Sequence, residues 1–171
     1  MHRMTDELTN ERNDLLECLQ YQRDSVLSIV NGLTEAQWHT SVVPSGWTPA
    51  GFVDHLSGAE YHWFQMVVAG LPVEISPEDE DEAPYDPTAA FTSDRRSAEI
   101  VDNYRKQCQI SDEILANVSM STKPLGRHNP NEEVPSVRWV VLHMIEETAA
   151  HSGHLEIARE LLDGKTGLGQ R

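Results

Sequence analysis

Residues 136–162 read SVRWVVLHMIEETAAHSGHLEIARELL, and the prediction of the fold starts from this stretch. Apolar residues recur in it every three or four positions, which predicts a long amphipathic helix. Ser136 is a candidate N-cap, and Asp163-Gly164 ends the pattern. One face of this helix carries metal-binding side chains in place of leucine and isoleucine, namely His143, Glu147, His151 and His154. Such a face is typical of a site built inside a helical bundle.

Three more long helices are predicted upstream of this stretch. They cover residues 5–29, residues 48 to about 69 with a start at Thr48-Pro49, and residues 93–118. A short helical turn that begins at Thr34 separates the first two. No segment alternates at period two over the length of a strand. The expected fold is all-α, a four-helix bundle that forms a single domain over residues 1–171.

A long acidic segment joins the second and third predicted helices. Between Val73 and Pro87 there are seven acidic residues and three prolines, a composition that cannot bury enough surface to order itself. We therefore expect an exposed crossover loop over residues 73–92. The segment lacks the glycine and the final glutamate of an EF-hand, which argues against a calcium site. The glycine-rich residues 165–171 are expected to form a flexible tail.

Composition and charge exclude several classes of function. The chain has 171 residues and a formal net charge of −15, so its surface repels phosphate backbones and anionic lipids. We expect neither a nucleic-acid partner nor a membrane partner. Its two cysteines, Cys18 and Cys108, are far apart and show no metal-binding spacing. Since no apolar run approaches the roughly 18 residues of a membrane span and the N-terminus lacks a signal-peptide core, we expect a cytoplasmic protein.

The second predicted helix supplies a partner for the polar face of the fourth. His55 and His62 are seven residues apart and share one face of that helix. We predict a divalent metal held by His55 from one helix and by Glu147 and His151, at i and i+4, from the other. Two imidazoles and one carboxylate suit Zn²⁺, Ni²⁺ or Fe²⁺ and leave a position open for water or substrate. The spacing alone leaves open that these histidines are ordinary structural residues.

The residues around these positions resemble a known family. The similar motifs are Gly46-Trp47-Thr48-Pro49, Val53-Asp54-His55-Leu56, His143 to Thr148, and His151-Ser152-Gly153-His154. They are similar to motifs of the DinB/YfiT-like superfamily of metal-binding four-helix bundles. The likeness covers nearly the whole chain and is closest to the actinobacterial branch with mycothiol-dependent S-transferases. In its ligand set, with Glu147 where many relatives have a third histidine, the chain resembles the mycothiol-dependent maleylpyruvate isomerase domain.

This resemblance implies a metal-dependent enzyme that uses a low-molecular-weight thiol such as mycothiol, either an S-transferase or a thiol-dependent isomerase. The ion, zinc first and nickel or iron as alternatives, would hold the thiolate that attacks an electrophilic co-substrate. His154 is a candidate catalytic residue that orients the bound group or moves a proton, with a fourth metal ligand as the alternative. Arg159 is a candidate for binding a substrate carboxylate, with pairing to Glu160 or to an acid of another helix as the alternative.

Two other functions stay open on the sequence alone. The chain is then either a noncatalytic metal-binding stress-response protein or a plain helical scaffold with structural histidines. A homodimer formed through exposed apolar helix faces is also compatible with the sequence. The remaining candidates are interpreted as packed or inert residues: His62, His143, Cys108, Trp47, Trp63 and Trp139.

Overall fold

The computed structural model describes residues 2–72, 89–129, 131 and 133–167, and every regular element within these ranges is helical. The elements are α1 (His2–Val30), α2 (Glu35–Trp38), α3 (Pro49–Glu60), a π-helical segment (Tyr61–Val68), α4 (Ser97–Ala116) and α5 (Val137–Asp163). The π-helical segment continues directly from α3, so these two elements form one continuous helix. With α1, α4 and α5, the described residues therefore form four long helices. The all-α bundle predicted from the sequence is confirmed.

Local capping signals start the two helices that carry the predicted ligands. Thr48 accepts a hydrogen bond from the Gly51 N–H (3.1 Å), and Pro49 occupies the first turn of α3. Ser136 caps α5 by accepting a hydrogen bond (3.3 Å) from a backbone N–H of its first turn. Gly164 ends α5 with a φ of 75°, a conformation that favours glycine. The predicted boundaries of α5 therefore agree with the structure.

The third long helix, α4, begins at Ser97, four residues later than predicted. The residues before it bond to other elements. Ser93 donates to the Asp54 carboxylate of α3 (2.8 Å), and Arg95 forms an ion pair with the same group (2.8 Å). The Glu35 side chain of α2 accepts a hydrogen bond from the Ser97 N–H (2.9 Å). Helical periodicity does not reveal such contacts between distant residues, which is why the predicted start is wrong.

A buried arginine joins three of the four long helices inside the bundle. Arg23 of α1 donates to both carboxylate oxygens of Glu60, at 2.8 Å each, and neither side chain is more than 2% exposed. Asp112 of α4 accepts a further bond from Arg23 at 2.7 Å. Burial opposes the charge on Arg23, but Glu60 outweighs this effect and raises the pKa of Arg23 above its ordinary value. Arg23 therefore connects α1 to α4 and to Glu60, the last residue of α3 before the π-helical segment.

Two expectations fall partly outside the described residues. Of the crossover loop predicted over residues 73–92, residues 89–92 are described, and they have no regular structure. Of the tail predicted over residues 165–171, residues 165–167 are described. Among the helices that the structure describes, none is both long enough and apolar enough to cross a bilayer.

Candidate metal centre

Glu147 lies between two imidazole rings. Its Oε1 atom is 2.9 Å from Nε2 of His55 and 3.1 Å from Nε2 of His151. The hydrogen bond from His151, followed by that from His55, lowers the pKa of Glu147 well below its ordinary value in spite of partial burial. The carboxylate is therefore ionised at neutral pH. These three residues are hereafter the Glu147 cluster.

Helix geometry and bundle packing each contribute to the Glu147 cluster. Glu147 and His151 are one turn apart on α5, so they share a face of that helix. His55 comes from α3, where its neighbours Val53 and Leu56 are completely buried. The rings of His55 and His151 meet edge to face, with their centroids 5.0 Å apart. The cluster is therefore complete only because α3 packs against α5.

Aromatic rings form one wall of the Glu147 cluster. The Phe52 ring lies 4.5 Å from the His151 ring, and Phe91 stacks on His55 at 4.3 Å. Neither phenylalanine was predicted from the sequence as part of the site. The His55 and Glu147 side chains are 28% and 29% exposed. The cluster therefore has an apolar wall and an open side, where water or a substrate can approach.

The segment that carries Phe91 is docked against the start of α3. The Phe91 carbonyl accepts a hydrogen bond from the Thr48 N–H (3.0 Å). A Cβ atom on Gly51 would lie 1.9 Å from the same carbonyl oxygen, so this approach requires glycine. The contact positions the Phe91 ring over His55.

The donor set of the Glu147 cluster fits a divalent transition metal. One nitrogen from each imidazole and one carboxylate oxygen lie within 4.8 Å of one another. Within the described ranges, no other group of three such side chains meets this criterion. Imidazole nitrogen and carboxylate oxygen are ligands of Zn²⁺, Ni²⁺ and Fe²⁺. Three protein ligands would hold such an ion and leave room for a further ligand.

His154 lies beside the Glu147 cluster. Its ring stacks on Phe52 at 5.5 Å and lies 5.6 Å from the His151 ring. The residue is exposed, and it is not among the side chains whose ligand atoms converge. Its roles as a proton carrier or a fourth ligand stay predictions.

Arg159 is bound to the end of α1. Its Nη1 atom donates to the backbone carbonyls of Ile29 (2.6 Å) and Asn31 (2.8 Å), and its Nε atom donates to Asp163 (2.9 Å). The residue is only 6% exposed. A substrate carboxylate would have to compete with these bonds, so the assignment of Arg159 to a substrate stays a prediction without support from this geometry.

A second group of histidines surrounds Trp63. The Trp63 ring stacks on His128 at 4.8 Å and contacts the rings of His143 (4.5 Å) and His62 (5.3 Å). Trp139 in turn stacks on His143 at 5.3 Å. These five residues are hereafter the Trp63 cluster. His128 was not predicted from the sequence, because it lies in an irregular stretch between α4 and α5 that no periodicity or motif marks.

Cys108 lies in the core near the buried ion pair. Burial, followed by the charge of Glu60, raises the pKa of the Cys108 thiol to about 12. A thiol with so high a pKa is a poor nucleophile. This agrees with its interpretation as an inert residue.

A comparison with family models connects this geometry to known proteins. A model described as mycothiol-S-transferase matches residues 14–164, which include the whole Glu147 cluster. The chain belongs to the mycothiol-S-transferase family. The match confirms the resemblance to the DinB/YfiT-like superfamily that the sequence motifs indicated.

A comparison with solved structures supports the fold of this mycothiol-S-transferase family member. The crystal structure of a conserved protein from Enterococcus faecalis aligns with a TM-score of 0.62 and 16% sequence identity. The alignment covers 90% of this chain and 97% of the other. At this identity the likeness shows the fold alone. A search of curated proteins finds no match.

Proposed function

We propose that this member of the mycothiol-S-transferase family is a metal-dependent enzyme that joins a low-molecular-weight thiol, mycothiol or a close analogue, to an electrophilic substrate. The observation that carries the proposal is the approach of two imidazole nitrogens to one carboxylate oxygen at an open face. The family match supports a thiol as the co-substrate. Zinc is the ion we propose first, with nickel and iron as alternatives.

Charge balance makes the carboxylate suitable for thiol chemistry. A bound divalent ion would lower the pKa of a coordinating thiol and so supply a thiolate at neutral pH. Glu147 cancels one of the two positive charges of the ion, and the thiolate cancels the other. Three neutral imidazoles would leave one positive charge without a counter-charge. Glu147 therefore favours a site that accepts one thiolate.

The remaining side chains of the site would handle the proton and limit access of water. His154 is exposed and one turn beyond His151, so its imidazole can take the thiol proton and pass it to solvent. Phe52 and Phe91 shield one side of the ligand atoms. A lower local dielectric strengthens the attraction between opposite charges there.

The transfer step exchanges one bond for another at the electrophilic carbon. The thiolate sulfur forms a bond to this carbon, and the bond to the leaving group breaks with its electron pair going to that group. In the isomerase alternative, the thiolate adds to a carbon–carbon double bond that is conjugated to a carbonyl group, and the carbonyl oxygen takes the displaced electron pair. The resulting single bond rotates, and the returning electron pair forms the double bond again as the thiolate leaves. Both reactions require the same metal ligands, His55, Glu147 and His151.

Thiol binding to the metal-loaded protein tests this proposal. We expect the Co²⁺-loaded protein to develop a thiolate-to-cobalt charge-transfer band when mycothiol is added, and the His151→Ala variant to show none. With a chromogenic electrophile, turnover should require both metal and thiol. Metal binding without the thiol band and without turnover would overturn the enzyme proposal in favour of a noncatalytic metal-binding protein. Failure to bind a metal would overturn both.

A further inference from the structure

Residues 91–95, hereafter the Phe91 segment, bring an aromatic ring to the Glu147 cluster from outside the two helices that supply its ligands. The Phe91 ring stacks on His55 with 4.3 Å between the ring centroids and 30° between the ring planes, and it contacts Phe52 at 5.4 Å. The segment precedes α4 and belongs to neither α3 nor α5. The place of this ring therefore depends on the bonds that hold the segment against α3.

Two side chains of the Phe91 segment bond to Asp54, the residue that precedes His55 on α3. The Ser93 hydroxyl donates to Oδ2 of Asp54 at 2.8 Å, and Nη1 of Arg95 donates to Oδ1 at 2.8 Å. A charged acceptor makes such bonds stronger than bonds between neutral groups. Because the Asp54 side chain is only 25% exposed, salt and water screen these bonds only in part.

Two further bonds hold the backbone of the Phe91 segment. The Phe91 carbonyl accepts the hydrogen bond from the Thr48 N–H, and Nδ1 of His39 lies 2.9 Å from the Ser93 carbonyl oxygen. These bonds attach the segment to the start of α3 and to the end of α2. Asp54, in contrast, attaches it to the turn of α3 that carries the metal ligand.

We propose that Asp54 is a positioning residue for the metal centre. Through Ser93 and Arg95 it keeps the Phe91 ring over His55, and the ring limits how many water molecules reach the bound ion. The inference rests on the proposed function, since it assumes that the Glu147 cluster holds a metal. Neighbouring helix positions point about 100° apart, so Asp54 acts through the Phe91 segment and not as a ligand.

An apolar ring at this place favours a thiolate as the additional ligand of the ion. Each water molecule that the ring excludes leaves the ion with one competing ligand fewer. The ring also lowers the local dielectric, which strengthens the attraction between the ion and a thiolate. Loss of the Asp54 bonds should therefore weaken thiol binding while His55, Glu147 and His151 still hold the ion.

Hydrogen exchange in the metal-free protein tests whether Asp54 holds the Phe91 segment. The Thr48 N–H reports on this contact because it donates to the Phe91 carbonyl. In Asp54→Asn we expect it to exchange about tenfold faster, because hydrogen bonds to a charged group are lost. Glu146→Gln is the matched control: it removes the same charge beside the ligand Glu147, from an exposed position, and should leave this exchange rate unchanged.

Cobalt spectra test whether the Phe91 ring limits access to the ion. Four-coordinate Co²⁺ absorbs visible light more strongly than Co²⁺ with additional water ligands, so Asp54→Asn should lower this absorption. Mycothiol affinity, measured by the thiolate-to-cobalt band, should fall by about tenfold, as is usual for changes outside the ligand shell. Phe91→Ala should have the same two effects. Adding Asp54→Asn to Phe91→Ala should change neither further, because both substitutions act through one ring.

These measurements separate the role of Asp54 from the proposed function. Additive effects in the double variant, a wild-type cobalt spectrum in Asp54→Asn, or equally fast exchange in Glu146→Gln would overturn the positioning role. Arg95→Ala removes only one of the two bonds and should produce smaller changes in the same direction, which covers the case that Asp54→Asn does not fold. If the wild-type protein itself gives no thiolate band, the proposed function fails, and amide exchange with the thiol-free cobalt spectrum still decides the role of Asp54.

Discussion

The two histidine clusters are held together by different side chains. At the Glu147 cluster, one carboxylate oxygen accepts hydrogen bonds from both imidazoles. At the Trp63 cluster, an indole ring packs against three imidazoles. The Glu147 cluster brings one carboxylate and two imidazoles together, whereas Trp63 and its three histidines bring together only rings. The residue between the histidines accounts for this difference, because Glu147 adds a negatively charged ligand atom and Trp63 adds only ring packing.

The largest effect should come from the loss of Glu60, which pairs with Arg23 of α1 and lies between His55 and His62 on the continuous helix formed by α3 and the π-helical segment. Glu60→Ala leaves the Arg23 charge buried without its main partner, so we expect the free energy of unfolding to fall by about 3–5 kcal/mol. The packing of the Glu147 cluster and the packing of the Trp63 cluster should both loosen in this variant. Urea denaturation measures the loss. Asp112→Asn is the control, because the Asp112 side chain is 55% exposed and its removal should cost less than about 1 kcal/mol.

The next effect should separate the two clusters. Glu147→Gln removes the negative charge, and we expect zinc affinity to fall by more than about 100-fold, because a direct ligand is lost rather than an outer-shell contact. His62→Ala, a change in the Trp63 cluster, should leave zinc affinity unchanged. Metal content after dialysis, with isothermal titration, measures both variants. Glu146→Gln is the matched control on the neighbouring exposed position; an equal loss of zinc there would show that general surface charge binds the ion.

Each cluster also has a glycine that allows a close backbone contact. Gly51→Ala would press against the Phe91 carbonyl, so we expect a loss of about 1–3 kcal/mol and weaker zinc binding. Gly126→Ala would press against the Met66 carbonyl, with a similar loss of stability but no change in zinc binding. Thermal unfolding and zinc titration of the two variants measure these effects. Equal zinc affinities in the two variants would show that the Gly51 contact does not position the Glu147 cluster.

Two other helical glycines provide controls for that pair. A Cβ atom on Gly58 or Gly153 would meet nothing within 4 Å. Alanine at either position should therefore stabilise its helix by about 0.5–1 kcal/mol, because glycine loses more backbone freedom on folding. Metal binding should stay as in the wild type.

The smallest effect should come from the cap that begins α3. Thr48→Ala removes the side-chain acceptor for the Gly51 N–H, which should cost about 1 kcal/mol in unfolding free energy. The first turn of α3 precedes His55, so zinc binding should weaken slightly. Ser136→Ala, which removes the corresponding cap of α5, serves as the comparison in the same denaturation and titration experiments. A Thr48→Ala variant as stable as the wild type would rule out a contribution from this cap.

The helices were predictable to the extent that local bonds decide them. α5 begins at the capping Ser136 and ends before Gly164, as the sequence predicts, because both signals act within a few residues. The start of α4 was not predictable in the same way. There, Asp54 accepts a hydrogen bond from Ser93 and Glu35 accepts one from Ser97 itself, and both acids come from elements far away in the chain.

In the candidate site, too, contacts within one helix were predictable, whereas contacts between elements were not. Glu147 and His151 share a face through the periodicity of one helix, so their pairing follows from spacing alone. That His55 lies opposite them was a hypothesis that spacing alone left open, and the packing of α3 against α5 brings its ring to Glu147. The partners of Arg159 could not be predicted from its spacing, because they include two backbone carbonyls at the end of α1.

Four amphipathic helices, the caps that begin α3 and α5, and the Glu147–His151 pair follow from the sequence alone, since each depends on contacts within about one helical turn. Which distant groups meet depends on the tertiary structure: Arg23 with Glu60 across 37 positions, and His62 with His128 across 66. The periodicity of apolar side chains indicates which face of a helix is buried. It does not indicate which residue of another element lies opposite that face, because this depends on how the whole bundle packs.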